Sequence, residues 1–176
     1  MTAKNHPLNS QNKIIVRPAT TQDGQQMAAL FMTAWHTNLK DFVPAGFLDQ
    51  FQHDKQKEKY SARVIDPAWI LLVAEFQNNI VGMIGATASN SNSDQTELKS
   101  MYIAPLYQRQ GIGTLLLNKL FSELKRHNTK NVIVWCIEAN KPACSFYEKH
   151  GAIRIKNIAT PEQYSSFPHN SYNWDL

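Results

Sequence analysis

A short glycine-containing segment has the residue types of a loop that binds phosphate. It lies between a predicted strand and a predicted helix and consists of Gln108, Arg109, Gln110, Gly111, Ile112, Gly113 and Thr114. The first amide groups of a helix have no partner inside the helix and lie at the positive end of its dipole. Glycines at this position let an anion approach the backbone closely. The segment therefore indicates a site for phosphate groups.

Two other kinds of phosphate loop do not fit this segment. A nucleotide-binding P-loop requires GxxxxGK followed by Ser or Thr, and the chain has no such sequence. A dinucleotide fingerprint requires a third glycine, and Leu116 occupies its position. A lone GxG is also found in ordinary loops that enter a helix. Taken alone, the segment leaves both interpretations open.

A second set of residues with regular spacing follows farther along the chain. Its members are Asn140, Ala143, Phe146, Tyr147 and Gly151. It comes after an apolar run over residues 131–137, which has the composition of a strand buried on both faces.

Together the two segments closely resemble the motifs of GNAT acetyltransferases, and they occur in the family's order. The first matches Gln/Arg-x-x-Gly-x-Gly/Ala through Gln108, Gly111 and Gly113. The second matches Asn-x-x-Ala-x-x-Phe-Tyr-x-x-x-Gly-Phe, except that Ala152 replaces the final Phe. In the order of elements, the resemblance extends over roughly residues 13–158.

The resemblance implies acetyl-CoA as the co-substrate and suggests which residues bind it. The amides of the glycine-containing segment would bind the CoA pyrophosphate. The preceding strand would pair with the pantetheine arm through Met101, Tyr102 and Ile103. Asn140 would hydrogen-bond near that arm, although Asn is also a favoured N-cap for the helix that follows it. Ser145 would approach the CoA chain by its position in the motif.

Acetyl transfer to an amine needs a base that takes a proton from the ammonium and an acid that protonates the departing thiolate. Tyr147 matches the family's general acid, and a phenol with a pKa of about 10 is protonated at neutral pH. The alternative is a core aromatic residue beside Phe146. Glu97 matches a glutamate that activates the amine in several members; the alternatives are an ordinary carboxylate at a strand end and a chain of water molecules. Direct attack within a ternary complex is the expected reaction.

The N-terminal half is expected to select the acceptor amine. Trp35 and His36, followed by a proline-containing loop over residues 41–44, resemble family members in which these elements line the acceptor pocket. His36 is predicted to orient the substrate or relay protons, or else to be a polar surface residue. Trp35 is predicted to lie either in the pocket wall or in the core.

The elements that position these residues follow from hydrophobic periodicity and turn residues. Strands are predicted over residues 13–17, 69–76, 80–88, 97–103, 131–137, 152–158 and 171–176. Helices are predicted after Thr20, over residues 45–51, 54–65 and 112–127, and around residues 142–147. Residues 1–12 are predicted to be a disordered lead-in, and residues 89–95 a polar loop.

These elements predict one α/β domain over residues 13–176. By resemblance it is a GNAT-type domain, with a mixed, mostly antiparallel sheet of about seven strands and helices on both faces. The sheet is expected to open between the strands that end at Ile103 and Ile137. Acetyl-CoA would lie in that opening.

The composition excludes several classes of protein. The chain has 176 residues, 43% of them hydrophobic and 18% charged, with a formal charge of +4. It has no basic aromatic face for nucleic acid and no run of roughly 20 apolar residues that would cross a membrane. No Cys/His cluster for a metal and no signal peptide are recognisable, so a cytoplasmic protein without metal is expected. Cys144 has no His or Asp partner in sequence, which disfavours an acyl-cysteine intermediate.

Two alternatives to an acetyltransferase of small amines remain open at this point. One is an acyltransferase that uses another acyl-CoA or acts on a protein N-terminus or lysine. The other is a non-catalytic CoA-binding sensor, which would have no need of a proton donor such as Tyr147 beside the sulfur. The resemblance also leaves a homodimer open.

Overall fold

The computed structural model describes residues 13–89, 92–156, 160–162 and 165–176. The strands in these ranges are β1 (Ile15–Pro18), β2 (Trp69–Phe76), β3 (Asn79–Ser89), β4 (Asn92–Ile103), β5 (Asn131–Ile137), β6 (Ile153–Ile155) and β7 (His169–Asp175). They form one sheet in the order β1-β2-β3-β4-β5-β7-β6. Neighbouring strands are antiparallel except β4 and β5, which are parallel. The predicted mixed, mostly antiparallel sheet is confirmed.

Helices cover both faces of the sheet, as predicted. In the described ranges the α-helices are α1 (Gly24–Ala34), α2 (His53–Ile65), α3 (Ile112–Arg126) and α4 (Lys141–Lys149). On one face, α1 and α2 bury Met27, Phe31 and Tyr60 in a cluster with side chains of β2 and β3. On the other face, α3 and α4 bury Leu116 and Tyr147 in a second cluster with side chains of β4, β5 and β7. The two clusters form because successive strand residues point to opposite faces.

The start of α1 is held by charged and polar contacts close to the first strand. Thr20 and Asp23 form a capping box, in which the Thr20 amide donates to Asp23 Oδ2 at 2.7 Å. Arg17 of β1 donates to both oxygens of Asp23, at 2.7 and 2.9 Å, and to Glu75 of β2 at 2.7 Å. One guanidinium group therefore joins the first strand, its neighbour and the entry to α1.

The polar segment at residues 89–95 was predicted to be a loop, and this prediction is wrong. β3 and β4 together include all of it except residues 90 and 91, which lie outside the described residues. Gln95 pairs with Asn131 of β5, and the residues before it extend the antiparallel ladder with β3. Pairing with two neighbouring strands outweighs the low strand propensity of Ser, Asn and Asp.

Two other predicted elements are shorter in the structure. Residues 45–51 contain only a 3-10 turn, Phe47–Gln50. The strand predicted for residues 152–158 consists of β6 alone, and residues 157 and 158 lie outside the described residues, as does the predicted lead-in over residues 1–12. A short edge strand of this kind has a partner on one side only, which limits its length.

The central feature of the sheet is an opening between β4 and β5. Residues 95–98 of β4 pair with residues 131–134 of β5, and the pairing then stops. β4 continues to Ile103 against β3, and β5 continues to Ile137 against β7. The two parallel strands therefore separate toward their C-terminal ends, as predicted.

The contact between Arg17 and Asp23 predicts a pH-dependent contribution to stability. The Arg17 guanidinium holds the pKa of Asp23 below its usual range, against the opposing effect of burial. A carboxyl group whose pKa is lower in the folded than in the unfolded protein stabilises the fold at pH values above its pKa in the unfolded state, which is about 4. This contribution is lost as the pH falls through the pKa of the folded state. We expect Asp23→Asn to lower the free energy of unfolding by about 1.5–3 kcal/mol at neutral pH, and by much less near pH 2.

Urea unfolding of wild type and variant at the two pH values measures this difference. Asp66→Asn is the matched control, because Asp66 is exposed, accepts one bond from the Ala68 amide and forms no ion pair with any described residue. The control should change stability by less than about 0.5 kcal/mol. An equal loss in Asp23→Asn at both pH values would contradict the ionic interpretation.

Candidate active site

The glycine-containing loop leaves the first turn of α3 open to a ligand. Gly111 is the N-cap of α3 and has a φ of +82°, a conformation that favours glycine. The Leu115 amide donates to the Gly111 carbonyl at 3.0 Å, so the amides between these residues precede the first helical bond. A Cβ on Gly111 would meet no atom within 4 Å. The space beside Gly111 is therefore free for an anion at the positive end of the helix.

The two glutamines of this loop hold its own backbone. Gln108 Nε2 donates to the Ile103 carbonyl at 3.1 Å, and Gln110 Nε2 donates to the Leu106 carbonyl at 2.9 Å. Arg109 lies between them, exposed and with a φ of +61°. The loop thus keeps its shape through side-chain bonds and leaves its backbone amides for a ligand.

Gly113 lets α3 lie close to β4 and α4. A Cβ at this position would lie 3.0 Å from Met101 Cε and 3.3 Å from the Phe146 ring. The neighbouring Ile112 side chain is buried in the core, so only its backbone is available to a ligand. The second glycine of the motif therefore has a packing role between the loop and α4.

A hydrogen-bond chain that the sequence analysis missed joins α3 to the end of α4. Thr114 Oγ1 lies 2.9 Å from His150 Nε2, and His150 Nδ1 lies 2.7 Å from the Phe146 carbonyl. A carbonyl only accepts, so Nδ1 carries a proton and donates it to Phe146, while Nε2 forms the hydrogen bond with the Thr114 hydroxyl. His150 lies within the second motif, but its spacing from Thr114 of 36 residues gave no signal of this contact.

The free edge of β4 presents alternate residues to the opening. The Ala104 amide donates to the Val81 carbonyl of β3. Backbone groups alternate between the two edges of a strand, so those of Met101 and Ile103 face the opening and those of Tyr102 face β3. The Tyr102 side chain packs on the α1 and α2 face of the sheet. Met101 and Ile103 thus have backbone groups at this edge, where the Ile103 carbonyl also accepts from Gln108; binding of the pantetheine arm stays a prediction.

Tyr147 lies on α4 with its ring in the core behind the opening. It packs against Trp174 at a centroid distance of 5.6 Å and against Tyr172 at 6.3 Å. Burial is the main cause that raises the pKa of Tyr147, and the nearby Cys136, Tyr102 and Cys144 raise it further. Within the described part of the chain, no hydrogen bond to its hydroxyl group is found. The ring is therefore part of the core, and the hydroxyl is a protonated donor from which no described residue accepts a hydrogen bond.

Asn140 and Ser145 occupy different positions on α4. Asn140 is the N-cap, and its Oδ1 accepts from the Ala143 amide at 3.2 Å. The capping role expected from the sequence is therefore present, and the amide nitrogen of its side chain can still donate to a ligand. Ser145 is exposed on the helix surface. A contact of either residue with CoA stays a prediction.

Glu97 lies within β4 instead of at its start. Its carboxylate forms an ion pair with Lys99, and its side chain is 14% exposed. The register places Leu98 opposite Ala86 and Ser100 opposite Gly85, so Lys99 is the extra residue of a β-bulge. The carboxylate is thus close to the point where β4 leaves β5. Its role as base stays a prediction.

The structure separates the two residues predicted at the acceptor side. Trp35 follows α1 directly, and its Nε1 donates to the Tyr102 hydroxyl at 3.1 Å. Burial raises the pKa of Tyr102 to about 12, although the bond from Trp35 opposes this effect. His36 is exposed on the same turn. Trp35 therefore reaches the strand beside the opening, whereas the structure brings His36 to no other site residue.

The two cysteines lie together in the core, beside Tyr147. Their sulfur atoms are 3.5 Å apart, and both thiols are free and buried. Burial raises the pKa of Cys136, so this thiol is protonated at neutral pH. Buried protonated thiols are weak nucleophiles. That Cys144 forms no acyl intermediate stays a prediction.

The described ranges contain neither a cluster of metal ligands nor a helix that would span a membrane. His, Cys, Asp and Glu side chains there form no group of three or more that would hold a metal. No helix within those ranges has both the length and the apolar character needed to span a membrane.

Comparisons with known proteins agree with this geometry. A probable N-acetyltransferase of Mycobacterium tuberculosis is 29% identical over 140 residues, which cover 78% of this chain and 79% of that protein. PaiA N-acetyltransferase from Thermoplasma acidophilum was solved in complex with coenzyme A. It has a TM-score of 0.80 at 16% identity, and the match covers 93% of this chain and 99% of PaiA. YncA from Salmonella typhimurium was solved with its cofactor acetyl-CoA. It has a TM-score of 0.70 at 17% identity, and the match covers 94% of this chain and 95% of YncA.

The family assignment rests on a match that includes most of the site. The model of the acetyltransferase (GNAT) family matches residues 30–152, which is more than half of the chain. This range contains the opening in the sheet, the glycine-containing loop and Tyr147. The chain is therefore a member of the GNAT acetyltransferase family.

Proposed function

We propose that this protein is an N-acetyltransferase that transfers an acetyl group from acetyl-CoA to a primary amine by direct attack. The observation that carries the proposal is the opening between β4 and β5. Tyr102 of β4 and Cys136 of β5 lie beyond the last paired residues, and both act on the Tyr147 hydroxyl; the free amides of the first turn of α3 follow the end of β4. A phosphate site and a proton donor at one gap between strands suit a long phosphorylated thioester.

The residues of the opening fit acetyl-CoA. The amides of the first turn of α3 and the space beside Gly111 suit the pyrophosphate. The free edge of β4 at Met101 and Ile103 suits the amide groups of the pantetheine arm, which hydrogen-bond as a strand does. The bound co-substrate supplies an acetyl group activated as a thioester. The coenzyme A and acetyl-CoA in the two related structures support this assignment.

Tyr147 is assigned as the general acid. Its raised pKa keeps the hydroxyl protonated at neutral pH, so it donates a proton to the departing thiolate. Glu97 is assigned as the base that takes a proton from the ammonium, directly or through water. No cysteine takes part, because the buried thiols are poor nucleophiles.

The first prediction concerns the loop that would bind CoA. We expect Gly111→Ala to weaken CoA binding on the order of tenfold, because strain at a φ of +82° displaces the amides that hold the pyrophosphate. Gly46→Ala is the matched control, since Gly46 has a φ of +77° and is also exposed, but lies before the Phe47 turn. Calorimetric titration with CoA and thermal unfolding measure both variants.

Both alanine variants should lose about 1–2 kcal/mol of stability through the same strain. The loss of CoA affinity should occur only in Gly111→Ala. Unchanged affinity in Gly111→Ala, with the expected loss of stability, would contradict the assignment of the loop.

The second prediction concerns the proton donor. We expect Tyr147→Phe to lower kcat by about 10²-fold or more, because the leaving thiolate loses its acid, while the affinity for CoA stays within about twofold. Tyr172→Phe is the control: it removes the hydroxyl of a neighbouring buried tyrosine, which donates to Glu148 at 3.2 Å. Thiol release with an amine, and titration with CoA, measure the two parameters.

The control should keep most of its turnover and lose at most about 1 kcal/mol of stability. Full turnover in Tyr147→Phe would show that another group is the acid. If the wild-type protein binds CoA but no amine leads to thiol release, the protein is a sensor and not an enzyme.

A further inference from the structure

Partly exposed aromatic side chains form a continuous surface on the acceptor side of the sheet. We call this surface the aromatic wall; its members are Trp35, Phe47, Phe51, Tyr102 and Phe167. Trp35 lies 5.6 Å from Phe47 and 5.2 Å from Phe51, measured between ring centroids. Phe47 packs edge-on against Phe167 at 5.0 Å. Four separate parts of the chain thus contribute rings to one surface.

The aromatic wall begins near Tyr147, the proposed general acid. The Tyr102 hydroxyl accepts from Trp35 Nε1, so the wall is joined to the strand at the free edge of β4. Tyr102 is also close enough to Tyr147 to raise its pKa. The wall therefore extends from the neighbourhood of the proposed acid, past Trp35, to Phe47 and Phe167.

The exposure of these rings sets them apart from the core beneath. Phe31 and Tyr60, which pack under the wall, are 6% and 1% exposed. The five wall residues are only partly buried, although aromatic rings are among the side chains that gain most from burial. A contiguous, partly exposed apolar surface beside a catalytic opening is typical of a site that binds an apolar group.

A carboxylate lies on the same face of the sheet as the aromatic wall. Leu98 packs into the cluster under α3 and α4, so the adjacent Glu97 points to the opposite face, where Tyr102 also packs. Asp41 and Asp49, on the segments that carry the wall, are exposed to solvent, where attraction to a cation is weak. The site thus combines a wall of rings with one enclosed carboxylate, which also forms an ion pair with Lys99.

The geometry points to an acceptor that is a primary amine carrying an aromatic or bulky apolar group. The nitrogen would lie toward Glu97, and the apolar group would pack against Trp35 and Phe47. This inference rests on the proposed function and names its substrate class. It disfavours hydrophilic amines and polyamines, whose second ammonium group would find no enclosed carboxylate on the wall.

The test compares amines that share a reacting group and differ in what they carry. Thiol release from acetyl-CoA is measured with 2-phenylethylamine, ethanolamine and 1,4-diaminobutane. We expect kcat/KM for 2-phenylethylamine to be on the order of tenfold to a hundredfold higher than the values for the other two amines. The reason is that only 2-phenylethylamine has a ring that the aromatic wall can bury. A kcat/KM for ethanolamine or 1,4-diaminobutane that equals or exceeds that for 2-phenylethylamine would overturn the inference. The proposed acetyltransferase function would still hold.

Two variants locate the preference on the aromatic wall. Phe47→Leu keeps an apolar side chain of similar size and should lower kcat/KM for 2-phenylethylamine by roughly tenfold. The value for ethanolamine should stay within about twofold. Phe121→Leu is the matched control: Phe121 is also partly buried, but packs against Trp174 on the other face of the sheet.

The remaining outcomes separate the two proposals. A preference for 2-phenylethylamine that Phe47→Leu leaves unchanged would overturn the role of the wall. Thiol release with none of the amines, in a protein that binds CoA, would overturn the proposed function and the inference with it. A faster reaction with a lysine-containing peptide than with 2-phenylethylamine would replace the small amine by a protein acceptor.

Discussion

The rest of the site depends on the early end of the pairing between β4 and β5, after four residue pairs. Beyond that point each strand keeps one partner, β3 or β7, and has one free edge. Backbone groups that lack a partner inside a protein are costly unless water or a ligand satisfies them. The opening therefore provides backbone hydrogen-bonding groups that a peptide-like arm would use.

Two helices bring different chemistry to this opening, and direct contacts set their relative positions. The first turn of α3 contributes free amides, whereas α4 contributes the Tyr147 hydroxyl. The absence of a side chain at Gly113 lets the helices approach, and the bond between Thr114 and His150 joins them. The spacing between the proposed phosphate site and the proposed proton donor is therefore a property of helix packing.

The two faces of the sheet differ in the side chains that cover them. Under α3 and α4 the cluster is largely aliphatic, with Leu116, Leu120 and Leu124 fully or almost fully buried. Under α1 and α2 it is rich in aromatic rings, and these continue outward as the aromatic wall. Aliphatic packing suits a rigid support for the cofactor loop. Partly exposed rings suit a surface that exchanges contacts with each substrate.

The sequence by itself determined the residues of the two motifs, the order of most elements and the family. These signals are local: glycine spacing, the cap at Asn140 and periodic apolar runs each depend on a few neighbouring residues. Only the tertiary structure decided that the polar segment before Glu97 is a strand, since pairing with β3 and β5 forms it against its own propensity. It also decided that Trp35 meets Tyr102 and that His150 meets Thr114. These contacts join residues 67 and 36 positions apart, and such pairs follow from strand register and helix packing, which no short stretch of sequence encodes.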